Sequence, residues 1–129
     1  MIEQILNETM GRGFLMSSFI GIIPNKYNMP QGMHQDQGMS PFVDANAPFT
    51  VNTMYIMDDL CAFNGGTLVV PGSHRLLSDI GSGNPVTQPL PPAINLEAPA
   101  GTVMMFEGRL LHGTGVNQSD EERIILVMN

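Results

Sequence analysis

His34 and Asp36 stand two positions apart in Met33-His34-Gln35-Asp36-Gln37. On an extended segment, side chains at i and i+2 leave the same face of the backbone, so an imidazole nitrogen and a carboxylate oxygen can converge on one ion. Two donors do not hold a catalytic metal. A third is available at His112, in Leu111-His112-Gly113-Thr114-Gly115, so far along the chain that only the fold can bring it in. Together the three would form a two-histidine, one-carboxylate set that leaves coordination positions open for substrate and oxygen, the arrangement used by non-haem Fe(II) oxygenases. The same triplet also arises at turns and as a surface pair, so its weight depends on what surrounds it.

Arg123 follows His112 at the entrance of Ile124-Ile125-Leu126-Val127-Met128, a run apolar on both alternating faces and therefore read as a buried strand. An arginine directed into a protein interior needs an anion, and its planar fork of donors suits a carboxylate, as a small dicarboxylate would supply. The alternative is a surface arginine paired with Glu121 or Glu122. Between the ligand segments lies Phe63-Asn64-Gly65-Gly66-Thr67-Leu68-Val69-Val70-Pro71-Gly72-Ser73-His74-Arg75. It predicts a turn able to reach positive φ, a short strand over 67–70, and a break at Pro71-Gly72. His74, just after that break, competes with His112 as third ligand, and a structural place in the loop is the expectation.

These segments, in this order, resemble the phytanoyl-CoA dioxygenase family. The resemblance rests on His34-x-Asp36, on Asn64-Gly65 with Leu68 and Pro71-Gly72-Ser73-His74, on Gly101-Thr102-Val103-Met104-Met105-Phe106 leading to His112-Gly113-Thr114-Gly115-x-Asn117, and on Arg123. It covers roughly residues 14 to 128, and the combination is far more specific than any one motif. It implies an Fe(II)- and 2-oxoglutarate-dependent oxygenase that uses O2 and releases succinate and CO2. His34, Asp36 and His112 would then bind the metal and carry catalysis. Arg123 and the Thr114 hydroxyl would hold the far carboxylate of 2-oxoglutarate, and Met54 and Asn52 would line the cosubstrate or substrate pocket. Related halogenases have a small residue in place of the carboxylate ligand, so Asp36 implies hydroxylation.

Composition agrees with a soluble enzyme. The chain has 129 residues, enough for one core, and is expected to form one domain over 1–129. A net charge of −7 with only five Lys and Arg, and no basic stripe, argues against nucleic acid as a partner. The single cysteine, Cys61, excludes an internal disulfide and fits a reducing, cytoplasmic setting. No apolar run approaches the ~20 residues needed to span a bilayer, so no membrane association is expected and a small-molecule substrate is. Eleven methionines read as adaptable core filling. Asn117-Gln118-Ser119 matches a glycosylation triplet but reads as a turn.

The elements that must position these residues are mostly strands. A helix is expected only over 2–9. Strands are expected over 14–23, 50–57, 67–70, 93–96, 102–106, 109–112 and 123–128, separated by Gly- and Pro-rich turns. In 50–57, Asn52, Met54 and Ile56 share one face. Short strands of this kind predict an all-β antiparallel sandwich or barrel, which the resemblance sharpens to a double-stranded β-helix, a cupin-like jelly roll with little helix. Residues 79–92, with four prolines, are expected to be an exposed connection, read as a lid over the barrel mouth in preference to a mere spacer. Longer members of the family carry roughly a hundred further N-terminal residues. The chain is therefore expected to be a short or truncated member, with exposed sheet edges that a homodimer would cover. The alternatives are a catalytically incompetent jelly-roll module that binds a metal or ligand, and a cupin-like Zn(II) or Mn(II) protein without 2-oxoglutarate.

Overall fold

The computed structural model describes residues 1–26, 29–37, 47–76 and 89–129. Helix α1 spans Ile2–Met10, and strands β1 to β3 span Phe19–Ile22, Val51–Ile56 and Thr67–Val69. A single helical turn, α2, covers Ser73–Leu76, and β4 to β7 span Ile94–Asn95, Val103–Glu107, His112–Thr114 and Ile125–Met128. All pairings are antiparallel. They build a four-stranded sheet in the order β1-β7-β2-β5 and a three-stranded sheet in the order β4-β3-β6. This is the expected jelly roll.

Period-two alternation explains the core between the sheets. Along β2, Asn52, Met54 and Ile56 point inward; Met54 and Ile56 face Val127 and Ile125 of β7 across the register. Met54, Ile56, Leu60, Ile125 and Val127 form the main apolar cluster, with Ile22, Met104 and Phe106 against it. Strand β7 lies between β1 and β2, yet only one of its faces is buried: Ile125 and Val127 are covered, while Leu126 and Met128 are half-exposed. The run that reads as buried on both faces is thus a one-sided strand.

Three boundaries differ from the sequence expectation. The first strand does not begin at residue 14: pairing starts at Phe19, because the Ser17 and Ser18 amides converge on the single Asn129 carbonyl instead of continuing a ladder. The last strand begins at Ile125, since the Ile124 amide donates to the Asp58 carboxylate at 2.7 Å. The 109–112 strand is mostly a turn. Leu110 N–H bonds back to Glu107 at 3.0 Å and Leu111 N–H is taken by the Ser73 hydroxyl at 2.8 Å, so the strand carrying His112 is His112–Thr114. The turn of α2 has no counterpart in the expected elements. The expected 79–92 connection falls largely outside the described residues; 89–92 are irregular.

Asn117 is fully buried, and its side chain fastens a loop. The Nδ2 group donates to Pro24 and Glu121 carbonyls at 2.9 and 2.8 Å, while Oδ1 accepts from the Ser119 amide and hydroxyl. Both amide hydrogens are used, so the triplet is a turn, as expected, and not an acceptor for sugar. No helix among the described residues is long and apolar enough to cross a membrane.

Candidate metal centre

His34 reaches the centre as an added edge of the smaller sheet. It exchanges backbone hydrogen bonds with His112 of β6, His34 N–H to His112 O at 2.8 Å and His112 N–H to His34 O at 2.9 Å. Gly113 allows this approach. Its neighbours His112 and Thr114 point inward, and any Cβ at 113 would stand 2.7 Å from the Gln31 carbonyl oxygen. The expected extended segment holds only through this one bridge, for the chain bends at Asp36. The flanking glutamines hold that bend. Gln35 Nε2 donates to the Arg109 carbonyl, and Gln37, 1 % exposed, bonds through its side chain to Ala47 O and Phe49 N–H at 2.8 Å each.

The result brings one ligand atom from each of His34, Asp36 and His112 within 4.8 Å of one another. His34 Nε2 lies 3.2 Å from Asp36 Oδ1, and His112 Nε2 lies 3.7 Å from Asp36 Oδ2. Donors sharing an ion at about 2.1 Å from each would stand about 3–4 Å apart, so the spacing is close to that of a loaded site. Each imidazole is also oriented. His34 Nδ1 is 2.9 Å from Gly32 O and His112 Nδ1 is 2.9 Å from Leu110 O. A carbonyl can only accept, so both Nδ1 atoms carry the hydrogen and both Nε2 atoms present a lone pair in the neutral ring, that of His34 accepting from Gln31 Nε2 at 3.4 Å. Burial pushes the His112 pKa down, with the neighbouring His34 acting in the same direction and the Leu110 carbonyl and Asp36 opposing it. The neutral, ligating form is therefore favoured at neutral pH. The Phe106 ring packs on His112 at 4.7 Å between centroids.

The carboxylate is steadied from β2. Asn52, 2 % exposed, donates through Nδ2 to Asp36 Oδ2 at 2.5 Å. Asn52, Met54 and Thr114 line the same small cleft, of ≈ 110 Å3, as the three candidate ligands. The Thr114 hydroxyl accepts the Gln31 amide hydrogen at 2.9 Å, which leaves its own hydrogen available. Thr67, not singled out by sequence, also lines the cleft; its parity on β3 was legible, but which face would turn inward was not. His74 is absent from this group. Its Nε2 stands 3.7 Å from Glu107, consistent with a structural histidine.

Arg123 is 1 % exposed and forms no ion pair with Glu121 or Glu122. It shares the inward face of Ile125 and Val127 but does not line the cleft. Its Nε donates to Asn64 O at 3.0 Å and its Nη2 to Gly65 O at 2.8 Å, while Nη1 is buried without a partner among the described residues. Burial lowers its pKa, with Asp58 and Cys61 acting in the opposite direction. A guanidinium taken out of water without a directly bonded carboxylate carries a desolvation penalty that a bound anion would offset.

The family model for phytanoyl-CoA dioxygenase (PhyH) matches residues 3–125. "Dioxygenase FUM3" of Gibberella moniliformis is 31% identical over 98 residues, which are 73% of this chain and 31% of that protein. Among solved structures, the non-heme monooxygenase ThoJ superposes with a TM-score of 0.76 at 19% identity, over 98% of this chain and 50% of its own. The epimerase SnoN, solved with Fe3+, alpha ketoglutarate and nogalamycin RO, gives 0.66 at 21% identity, over 88% of this chain and 48% of its own. The chain thus spans about a third of that dioxygenase and about half of each of those two structures.

Proposed function

Because the chain belongs to the phytanoyl-CoA dioxygenase family, we propose that it provides the metal centre of an Fe(II)- and 2-oxoglutarate-dependent oxygenase that hydroxylates a small organic molecule. The observation that carries this proposal is the convergence of two Nε2 lone pairs and one carboxylate, each oriented by its own hydrogen bond, on a single point. Such a donor set fits Fe(II) and leaves adjacent positions open. In this role His34, Asp36 and His112 hold the metal. Met54, Val127 and Phe106 provide apolar wall that keeps water from it. Thr114 and Arg123 receive the far carboxylate of 2-oxoglutarate, the first through its unused hydrogen and the second through its unpartnered Nη1. When bound, iron and cosubstrate together supply the oxidation of a C–H bond by O2, with succinate and CO2 as the other products.

The alternative of a cupin-like metal protein with no keto acid gives the buried Arg123 Nη1, without a partner among the described residues, nothing to bind. A fold shared with an epimerase does not select the reaction; the carboxylate ligand Asp36 is what favours hydroxylation. Anaerobic addition of Fe(II) and then 2-oxoglutarate should produce a visible charge-transfer band, and admission of O2 should then yield succinate. A protein that binds stoichiometric metal yet forms no band is not an enzyme of this kind.

Asn52 acts here by holding Asp36, so its effect should appear on the metal. Asn52→Leu removes the donor to Oδ2 and should weaken Fe(II) or Co(II) binding by about 10–100-fold, the usual cost of losing such a supporting partner. Equilibrium dialysis against the metal measures this directly. An affinity equal to that of the wild type would reduce Asn52 to a wall residue.

A further inference from the structure

Three successive carbonyls of the turn after β5 reach the segments that carry candidate ligands. Gly108 O accepts the Gln37 amide at 3.0 Å, Arg109 O accepts from Gln35 Nε2, and Leu110 O accepts from His112 Nδ1 at 2.9 Å. Gln35 and Gln37 flank Asp36, so this turn sets both the bend that presents the carboxylate and the ring of His112. The turn is pinned at either end. Gly108 N–H donates to Thr50 O at 2.8 Å, where a Cβ at 108 would stand 1.9 Å from Thr50 Oγ1, and the Leu111 amide is taken by Ser73. Across its middle, Glu107 Oε2 accepts from Arg109 Nη2 at 2.7 Å and from Nε at 3.3 Å, while His74 Nε2 stands 3.7 Å from Glu107 Oε1. The Arg109 and Glu107 side chains are only 16% and 19% exposed, so salt screens their attraction less than it would an exposed pair.

We propose that Glu107 is a positioning residue for the metal centre, acting through Arg109 and the carbonyls of residues 108–110. This deepens the metal-centre reading above and rests on it. Glu107 does not reach the ion itself. Alternation along β5 puts Phe106, which packs on His112, on the inner face and Glu107, opposite Val51, on the outer one. The carboxylate instead holds the Arg109 side chain across the turn and so restrains the peptide planes on either side of it. Because the carbonyls of 109 and 110 follow one another along the chain, a rotation there would displace the Asp36 segment and the His112 ring together. Loss of the pair should therefore alter the arrangement of the ligands and not stability alone.

The test titrates the full chain with Co(II), whose visible bands report the geometry of its ligands, and pairs each titration with a thermal melt. Glu107→Gln keeps the length of the side chain and removes its charge. It should raise the Kd for Co(II) about tenfold, the low end of the range for supporting partners because it acts at one remove, and change the intensity of the bands at saturation. Leu60→Val is the control for a general loss of stability. Leu60 belongs to the buried apolar cluster, and its side chain takes no part in the hydrogen bonds of the turn, so this variant should melt at a lower temperature with wild-type Co(II) affinity and spectrum. If Glu107→Gln binds Co(II) with wild-type affinity and spectrum, or if Leu60→Val shows the same losses, Glu107 serves the fold only and the metal-centre reading stands. If the wild type binds no Co(II), both fall.

Discussion

Asp36→Ala is expected to reduce succinate formation by at least about a thousandfold and to strip the protein of iron on dialysis. The carboxylate is the only anionic donor in the triad, and the two imidazoles that remain offer no charge to offset that of the metal. The effect on folding should be much smaller. The Asp36 side chain is 23% exposed and the hydrogen bond lost is the one from Asn52, so the cost is about 1–3 kcal/mol for the donor left behind. Metal content, turnover and a thermal melt on the same preparation separate the two effects. Asp36→Glu sharpens the result: it keeps the charge and moves it by a methylene, so restored iron without restored turnover would show that placement matters and not charge alone. Turnover unchanged in Asp36→Ala would remove the triad from consideration.

Arg123→Met should weaken 2-oxoglutarate binding by at least about a hundredfold, since a buried charge-assisted pair is worth about 2–5 kcal/mol when one partner is removed. Stability without ligand should move far less. The substitution frees the Asn64 and Gly65 carbonyls of their donors, yet it also relieves the desolvation of a buried cation that has no directly bonded carboxylate. These contributions oppose one another. Ligand-dependent stabilisation is the decisive measurement: at a hundred times Kd a bound ligand raises stability by about 2.7 kcal/mol, and Arg123→Met should gain almost none of it at the same concentration. Arg123→Lys, with a point charge in place of the fork, should fall between the two. If Arg123→Met keeps the wild-type ligand response, the guanidinium serves only to hold the Asn64-Gly65 turn, in keeping with its place outside the lining of the cleft.

Asn52 and Arg123 show where local sequence was informative and where it stopped. Alternation along 50–57 put Asn52 and Met54 on one face, and the structure has them on one face. That Asn52 would donate to the Asp36 carboxylate could not be read, because Asp36 reaches it from a segment outside the strand. Arg123 was legible as buried from the apolar run behind it; its carbonyl partners on the Asn64-Gly65 turn were not. The 109–112 strand misled for a related reason. Its residues suit a strand, but the Ser73 hydroxyl captures the Leu111 amide and the Leu110 amide turns back to Glu107. A hydrogen bond from a distant segment overrode local preference.

By itself, the sequence determined the donor chemistry: two imidazoles, one carboxylate and a buried guanidinium, set among short strands whose period of two could be counted. Those are properties of residue type and near neighbours, and they persist in any fold that contains them. The tertiary structure decided the rest. It brought β6 beside the His34 segment, used carbonyls of Gly32 and Leu110 to turn both Nε2 atoms toward Asp36, and turned Thr67 inward opposite Thr114. Alternation says which side chains share a face, but which face becomes the interior depends on where the opposing sheet packs.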